Sequence, residues 1–174
     1  RLRPNEWLSG DVMTGYATLL NEREARRRAV NDRRSRRHVF HSFLYAGMCN
    51  NGYEGVKRWS TKAKVDVFAC SLLVFLCNVN GNHWTVVVAR MRQRRIEYFD
   101  SNGGAGVAEM DMIRSYLQQE HLDKKKSPLP GVWTRRSHGT SSPQQANGVD
   151  CGVFALTVAE YVVEDMPFDF RQDD

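Results

Sequence analysis

Cysteines are scarce, and none is spaced as a pair. The 174-residue chain has four, Cys49, Cys70, Cys77 and Cys151, with no C-x-x-C arrangement. That argues against a zinc ribbon or a thioredoxin-type site. Long apolar runs are missing as well. The longest, "LLVFLCNV", falls far short of the ~20 residues that span a bilayer, so no membrane association is expected. The opening "RLRPNEWLSG" has no apolar core of a signal peptide. Thiols without partners then point to a reducing compartment, nucleus or cytoplasm. No G-K-[ST] follows "GGAG", so a phosphate loop is discounted. No RRM, KH or finger pattern accompanies the arginines, so direct nucleic-acid binding is not expected.

What remains is the composition of an ordinary globule, 41% hydrophobic and 26% charged, with a formal charge of +5. The length suits one domain over residues 1–174, expected to be a monomer. The basic balance favours acidic partners. Eight arginines fall between positions 23 and 37. They read as a solvated helix face and loop, as a patch that steers an acidic partner, or as a nuclear import signal.

Val12, Met13, Tyr16, Leu19 and Leu20 have the spacing of one helix face over residues 10–24, with Ser9 as N-cap and Asp11 in the first turn. Residues 64–79 turn β-rich, with "VFACSLLVFL" as a buried strand, and two more strands are expected over 84–91 and 94–100. Val107, Met110, Ile113 and Leu117 mark a second helix. "DKKKSPLPG" and "SHGTSSPQQANG" read as loops. A central helix runs from Cys151 to Glu164, apolar on nearly every side. Helices around a short antiparallel sheet make an α+β domain.

Three groups in this order can meet. A two-residue turn at Met91 and Arg92 pairs Arg90 with Gln93 and, counting outward, sets His83 opposite Asp100 on one face of the sheet. A carboxylate there fixes the imidazole's tautomer and supports its charged form. Cys151 stands where the last helix begins. A helix N-terminus and a neighbouring imidazolium both favour a thiolate, which is how a thiol becomes a nucleophile at neutral pH. The Cys151 N–H and the side-chain amide of Gln144 or Gln145 can serve a developing oxyanion. His38 and His41 have the spacing of a metal pair, but a plain surface turn is the expectation, and no metal is called for.

"EWLSGDVM", "GYEGVKRW", "KVDVF", "NHWTVVV", "RIEYFDSNGG" and "PQQANGVDCGVFAL" follow one another along nearly the whole chain. Together they resemble the ubiquitin-like-protein-specific, or sentrin/SUMO-specific, cysteine proteases. The resemblance implies a papain-like α+β fold with chain order His-Asp-Cys, its central antiparallel sheet flanked by helices. It also implies a triad of His83 as general base, Asp100 as orienting partner and Cys151 as nucleophile. Gln145 matches the family's oxyanion glutamine. Trp7 and Trp84 match two tryptophans that close over the modifier's Gly-Gly tail, and Phe43 and Arg58 fall where the family touches the modifier's folded body. Gly10, followed by Asp11, stands where the family usually has an acidic residue. The family domain normally continues past "DMPFDF" with another helix, so a missing C-terminal helix is expected. The implied activity is cleavage after the C-terminal Gly-Gly of SUMO, in precursors or SUMO-conjugated proteins, with no cofactor. A non-catalytic modifier-binding module, or a protease for another modifier such as the neddylation modifier, is the alternative.

Overall fold

Asp100 is followed by two glycines, and the need for them shows how the chain turns at the end of its sheet. A Cβ on Gly104 would lie 2.4 Å from Asp100 Oδ2, so only glycine lets the backbone wrap the carboxylate this closely. That turn lies at one end of a five-stranded sheet seen in the computed structural model, which describes residues 6–31 and 33–172.

The strands are β1 (Arg36–Phe40), β2 (Cys70–Val79), β3 (His83–Arg90), β4 (Arg95–Phe99) and β5 (Thr134–Ser137), in the order β1-β2-β3-β4-β5. The β2–β3 and β3–β4 pairs are antiparallel, while β1–β2 and β4–β5 are parallel. The sheet is therefore mixed, not the antiparallel sheet expected from sequence. Both edge strands escape sequence reading. "RRHVF" and "TRRS" carry no apolar alternation, and every residue of β5 is exposed.

The central strands read as continuous apolar runs because the sheet is covered on both faces. Leu72, Val74 and Leu76 of β2, with Trp84, Val86 and Val88 of β3, face one core layer. Leu73, Phe75, Cys77, Val87 and Ala89 face the other. The helices α1 (Gly10–Val30) and α5 (Cys151–Glu164) cover the first face, with Met13, Ala17, Leu20, Ala155, Val158 and Ala159. On the second face lie α2 (Phe43–Asn51), α3 (Trp59–Lys62) and α4 (Val107–Lys125), with Leu44, Met48, Trp59, Ile113, Tyr116 and Leu117.

Ser9 does cap α1, accepting from Val12 N–H at 3.4 Å; such a cap stabilises by about 1 kcal/mol. The helix runs on to Val30, through half of the arginine run, and its buried face is Met13, Ala17, Leu20 and Glu24, whereas Val12 and Leu19 are exposed. Arg23 and Arg27 reach Glu160 and Glu164 of α5, Arg34 makes a forked pair with Glu24, and Arg37 meets Asp165. The α1–α5 contact pairs these charges beside the apolar packing of Met13, Ala17 and Leu20 of α1 with Ala155, Val158 and Ala159 of α5. The consequence for function is that four of these arginines face the protein's own carboxylates. The predicted start of the second strand is a short 3₁₀ turn at Val67–Ala69, capped by Asp66, whose Oδ1 accepts Phe68 N–H at 3.0 Å.

Candidate active site

His83 opens β3, Asp100 follows β4, and Cys151 begins α5. Sheet pairing and the packing of α5 on β3 bring them to one end of the molecule. The register differs from the expectation. Four residues, Met91–Arg94, close the β3–β4 hairpin, with Arg94 at φ 50° and Arg90 opposite Arg95. The shift is two positions, and a sheet repeats every two residues, so His83 and Asp100 stay on one face as diagonal neighbours. Their side chains still meet: His83 Nε2 and Asp100 Oδ1 are 2.7 Å apart.

The carboxylate is held from several sides. Asn102 N–H donates to Oδ1 at 2.7 Å, and Gly104 N–H to Oδ2 at 3.2 Å. Burial pushes the Asp100 carboxyl up, but the His83 bond and these two amides outweigh it, leaving it below the usual carboxylate value. With Nε2 on Asp100, Nδ1 of His83 is left for Cys151, and the ring and the thiol each shift the other's ionisation. The bond to Asp100, then that to Cys151, lift the imidazole from 6.5 to about 9 against the opposing effect of burial.

Cys151 is buried. Burial pushes its thiol up, yet the His83 hydrogen bond, the Trp84 N–H, the His83 charge and the Gly152 N–H prevail and hold it below the ordinary thiol value. Gly152 is required where it stands, because a Cβ there would meet Leu8 at 2.9–3.1 Å. Leu8 in turn accepts Trp84 Nε1–H on its carbonyl at 2.8 Å.

The loop before Cys151 separates the two glutamines that sequence left open. Gln144 spends its amide N–H groups on backbone carbonyls, including those of Asp100 and Ser142, each at 3.0 Å. Gln145 bonds instead to the residue after Asp100. Its Oε1 accepts from Ser101 Oγ at 2.5 Å, its backbone N–H donates to Ser101 O at 3.0 Å, and its Nε2 donates to Asn147 O at 2.6 Å. Ser101 is thus a functional neighbour that sequence reasoning passed over. Its position after Asp100 was the available signal. Leu8, which binds through its carbonyl, left none.

Trp7 and Trp84 both border the site. Trp7 is exposed and donates through Nε1 to Gly148 O at 3.0 Å, on the loop that leads to Cys151. Trp84 is buried beside His83. Phe43, exposed at the start of α2, shares with Trp84, Gly10 and Glu109 a groove of about 650 Å³. Arg58 is exposed at the N-cap of α3 and does not line that groove. His38 lies on β1 and is driven down to about 4, by burial first and by His41 second. Among the described residues no three His, Cys, Asp or Glu side chains form a metal cluster.

Residues 6–174 match the model of the Ulp1 protease family, C-terminal catalytic domain. Human sentrin-specific protease 2 is 34% identical over 173 residues, which is 98% of this chain and 28% of that protein. The chain thus spans less than a third of the length of that relative. Among solved structures, the Chaetomium thermophilum Ulp1-like SUMO protease catalytic domain superposes with a TM-score of 0.81 at 20% identity, covering 99% of this chain and 68% of that one. The C-terminal Ulp1 protease domain in complex with Smt3, the yeast ortholog of SUMO, gives 0.77 at 22% identity, covering 98% and 72%. These two likenesses concern the fold, an α+β domain. The chain belongs to the Ulp1 protease family.

Proposed function

We propose that this chain is a thiol protease domain that cleaves after the C-terminal Gly-Gly of SUMO, freeing it from substrate lysines or from its precursor. The observation that carries the reading is one line of groups, in which Asp100 Oδ1 holds His83 Nε2 at 2.7 Å and His83 in turn draws the Cys151 thiol below its ordinary value. The human relative's name, sentrin-specific protease 2, supports the choice of modifier.

In this reading the thiolate of Cys151 attacks the carbonyl carbon of the modifier's last glycine. The oxyanion receives the Cys151 N–H and a side-chain N–H of Gln145, which has two donors and commits one to Asn147. Ser101 fixes the amide's orientation by donating to its Oε1. His83 Nδ1–H then protonates the leaving amine as the C–N bond breaks, giving a thioester. The neutral ring next takes a proton from water, hydroxide adds to the thioester carbonyl, and the modifier leaves as a carboxylate with the Cys151 thiolate restored. Asp100 keeps the ring oriented throughout. Trp7 and Trp84 flank the approach, where glycines are thin enough to pass between indoles. Phe43 and the groove beside it receive the modifier's folded body, and Arg58 contacts it further out. We place the enzyme in the nucleus or cytoplasm, where thiols stay reduced.

Release of a fluorophore from the C-termini of SUMO, the neddylation modifier and ubiquitin tests this reading. Turnover of the SUMO substrate is expected to exceed the others, and Cys151→Ser to lower it by about 10⁴-fold or more. Near-normal cleavage by the serine variant, or no cleavage of any substrate by the wild type, contradicts it.

A further inference from the structure

The chain does not run away from the active site after α5. Asp165 adopts a left-handed conformation (φ 56°), and Met166 N–H returns to Tyr161 O at 2.9 Å. Residues beyond this point pack back along α5. Phe168 lies against Phe99 and Tyr161, with ring centroids 5.1 and 6.4 Å away. Phe170 meets Tyr161 at 5.0 Å and Phe154, in the first turn of α5, at 5.7 Å. This apolar anchoring delivers Gln172 to the loop that precedes Cys151.

We infer that Gln172 is a positioning residue that holds the oxyanion loop and the nucleophile in mutual register. The inference rests on the reading of Cys151 as nucleophile. Gln172 makes two bonds of opposite polarity. Its Oε1 accepts Ala146 N–H at 2.8 Å, and its Nε2 donates to Asp150 Oδ2 at 2.5 Å. Ala146 directly follows Gln145, and Asp150 directly precedes Cys151. One side chain therefore ties together the residues adjoining the oxyanion donor and the nucleophile.

The turn between them is short and internally braced. Asn147 Oδ1 accepts the N–H groups of Val149 (3.0 Å) and Asp150 (3.1 Å), and its Nδ2 donates to Asp150 Oδ2 at 2.7 Å. One carboxylate oxygen thus receives two neutral amide donors. A carboxamide is the group that suits both points at once. A carboxylate at position 172 keeps the acceptor for Ala146 but has no N–H for Asp150, and a shorter asparagine loses reach. Neutrality matters here, because Asp150 stands one residue before Cys151, whose thiol the His83 charge lowers. A second carboxylate beside Asp150 disfavours the thiolate.

The test uses the whole 174-residue chain. Iodoacetamide alkylation of Cys151 is followed against pH by peptide-resolved mass spectrometry, which separates it from exposed Cys49, alongside kcat and KM on the SUMO substrate. Gln172→Ala should lower kcat by about 10–100-fold with KM changed by less than about threefold, the pattern of a misplaced reacting group rather than lost binding. Gln172→Glu, isosteric and so the variant that decides if the alanine chain folds poorly, should move the Cys151 alkylation profile to higher pH. Adding Asp150→Asn should move it back. A folded Gln172→Glu chain with the wild-type profile and wild-type kcat, beside a reactive wild type, overturns this inference alone. A wild-type Cys151 that alkylates like an ordinary thiol overturns the catalytic reading and this one with it.

Discussion

Cys77 and Cys151 are equally hidden from solvent, 0% and 2% exposed, and chemically opposite. Cys77 points into the core layer under α2 and α4. There burial first, then the negative charge of Glu109, drive its thiol well above the ordinary value. Cys151 points into the other layer, at the open end of the sheet. Burial opposes its ionisation too, but His83 and two backbone N–H groups reverse the outcome. The difference teaches that burial makes a thiol inert by default, and that donors converging on one end of the sheet favour its thiolate. The sheet delivers those donors: β3 begins at His83 and Trp84, and β4 runs out into the Asp100 turn.

The largest way to break the contrast is His83→Ala. It removes the strongest of the influences that lower Cys151 and leaves burial in command, so Cys151 should come to resemble Cys77. Turnover should fall by about 10³-fold or more, since the proton-transfer role alone contributes about 10²–10⁴. A variant within tenfold of wild type would show that the ring is not what separates the two thiols.

Asp100→Asn is milder and shifts a pH limb. The imidazolium is needed to protonate the leaving amine, and Asp100 is the leading reason His83 is lifted to about 9. Wild-type kcat/KM should therefore decline as pH rises through about 9, and as pH falls through a Cys151 value below the ordinary thiol range. In the asparagine variant the alkaline limb should slide down toward 6.5, the ordinary imidazole value, with roughly a 10–100-fold loss at neutral pH. An unmoved alkaline limb would remove Asp100 from the account.

Cys77→Ser gives the smallest kinetic effect and sharpens the contrast from the other side. Cleavage should be unchanged, while denaturant unfolding should report a loss of about 1–3 kcal/mol from burying a hydroxyl in an apolar layer. Lost activity in a folded Cys77→Ser chain would mean the second thiol is not a bystander.

These contrasts show where the sequence was readable. β2 and β3 declare themselves through unbroken apolar runs, and α5 through its apolar perimeter. The His83–Asp100 meeting survives an error in the turn because a two-residue register slip returns side chains to the same face. The edge strands were not legible: "TRRS" pairs through its backbone, and its exposed side chains carry no pattern. The helix at Phe43–Asn51 was passed over for a different reason. It lacks a side-chain cap, and its apolar residues point both into the core and outward, Leu44 buried and Phe43 exposed. In the candidate site, the side chains proposed to act were legible: His83, Asp100, Cys151 and the Gln144/Gln145 pair. Spacing left the two glutamines open and the resemblance singled out Gln145; in the folded loop Gln144 spends its amide N–H groups on backbone carbonyls. Leu8, which bonds through its carbonyl, could be found only once the chain was folded, whereas Ser101 had its place next to Asp100 as a signal.

The central claim is that a buried sulfur is ionised by its neighbours. Thiolate absorbance near 240 nm, titrated in the wild type and in Cys151→Ser, tests it most directly. The difference between the two curves should contain one thiolate that forms below the ordinary thiol value. A difference curve with no step until pH lies above that value would mean that Cys151 behaves like Cys77, and the account would be wrong.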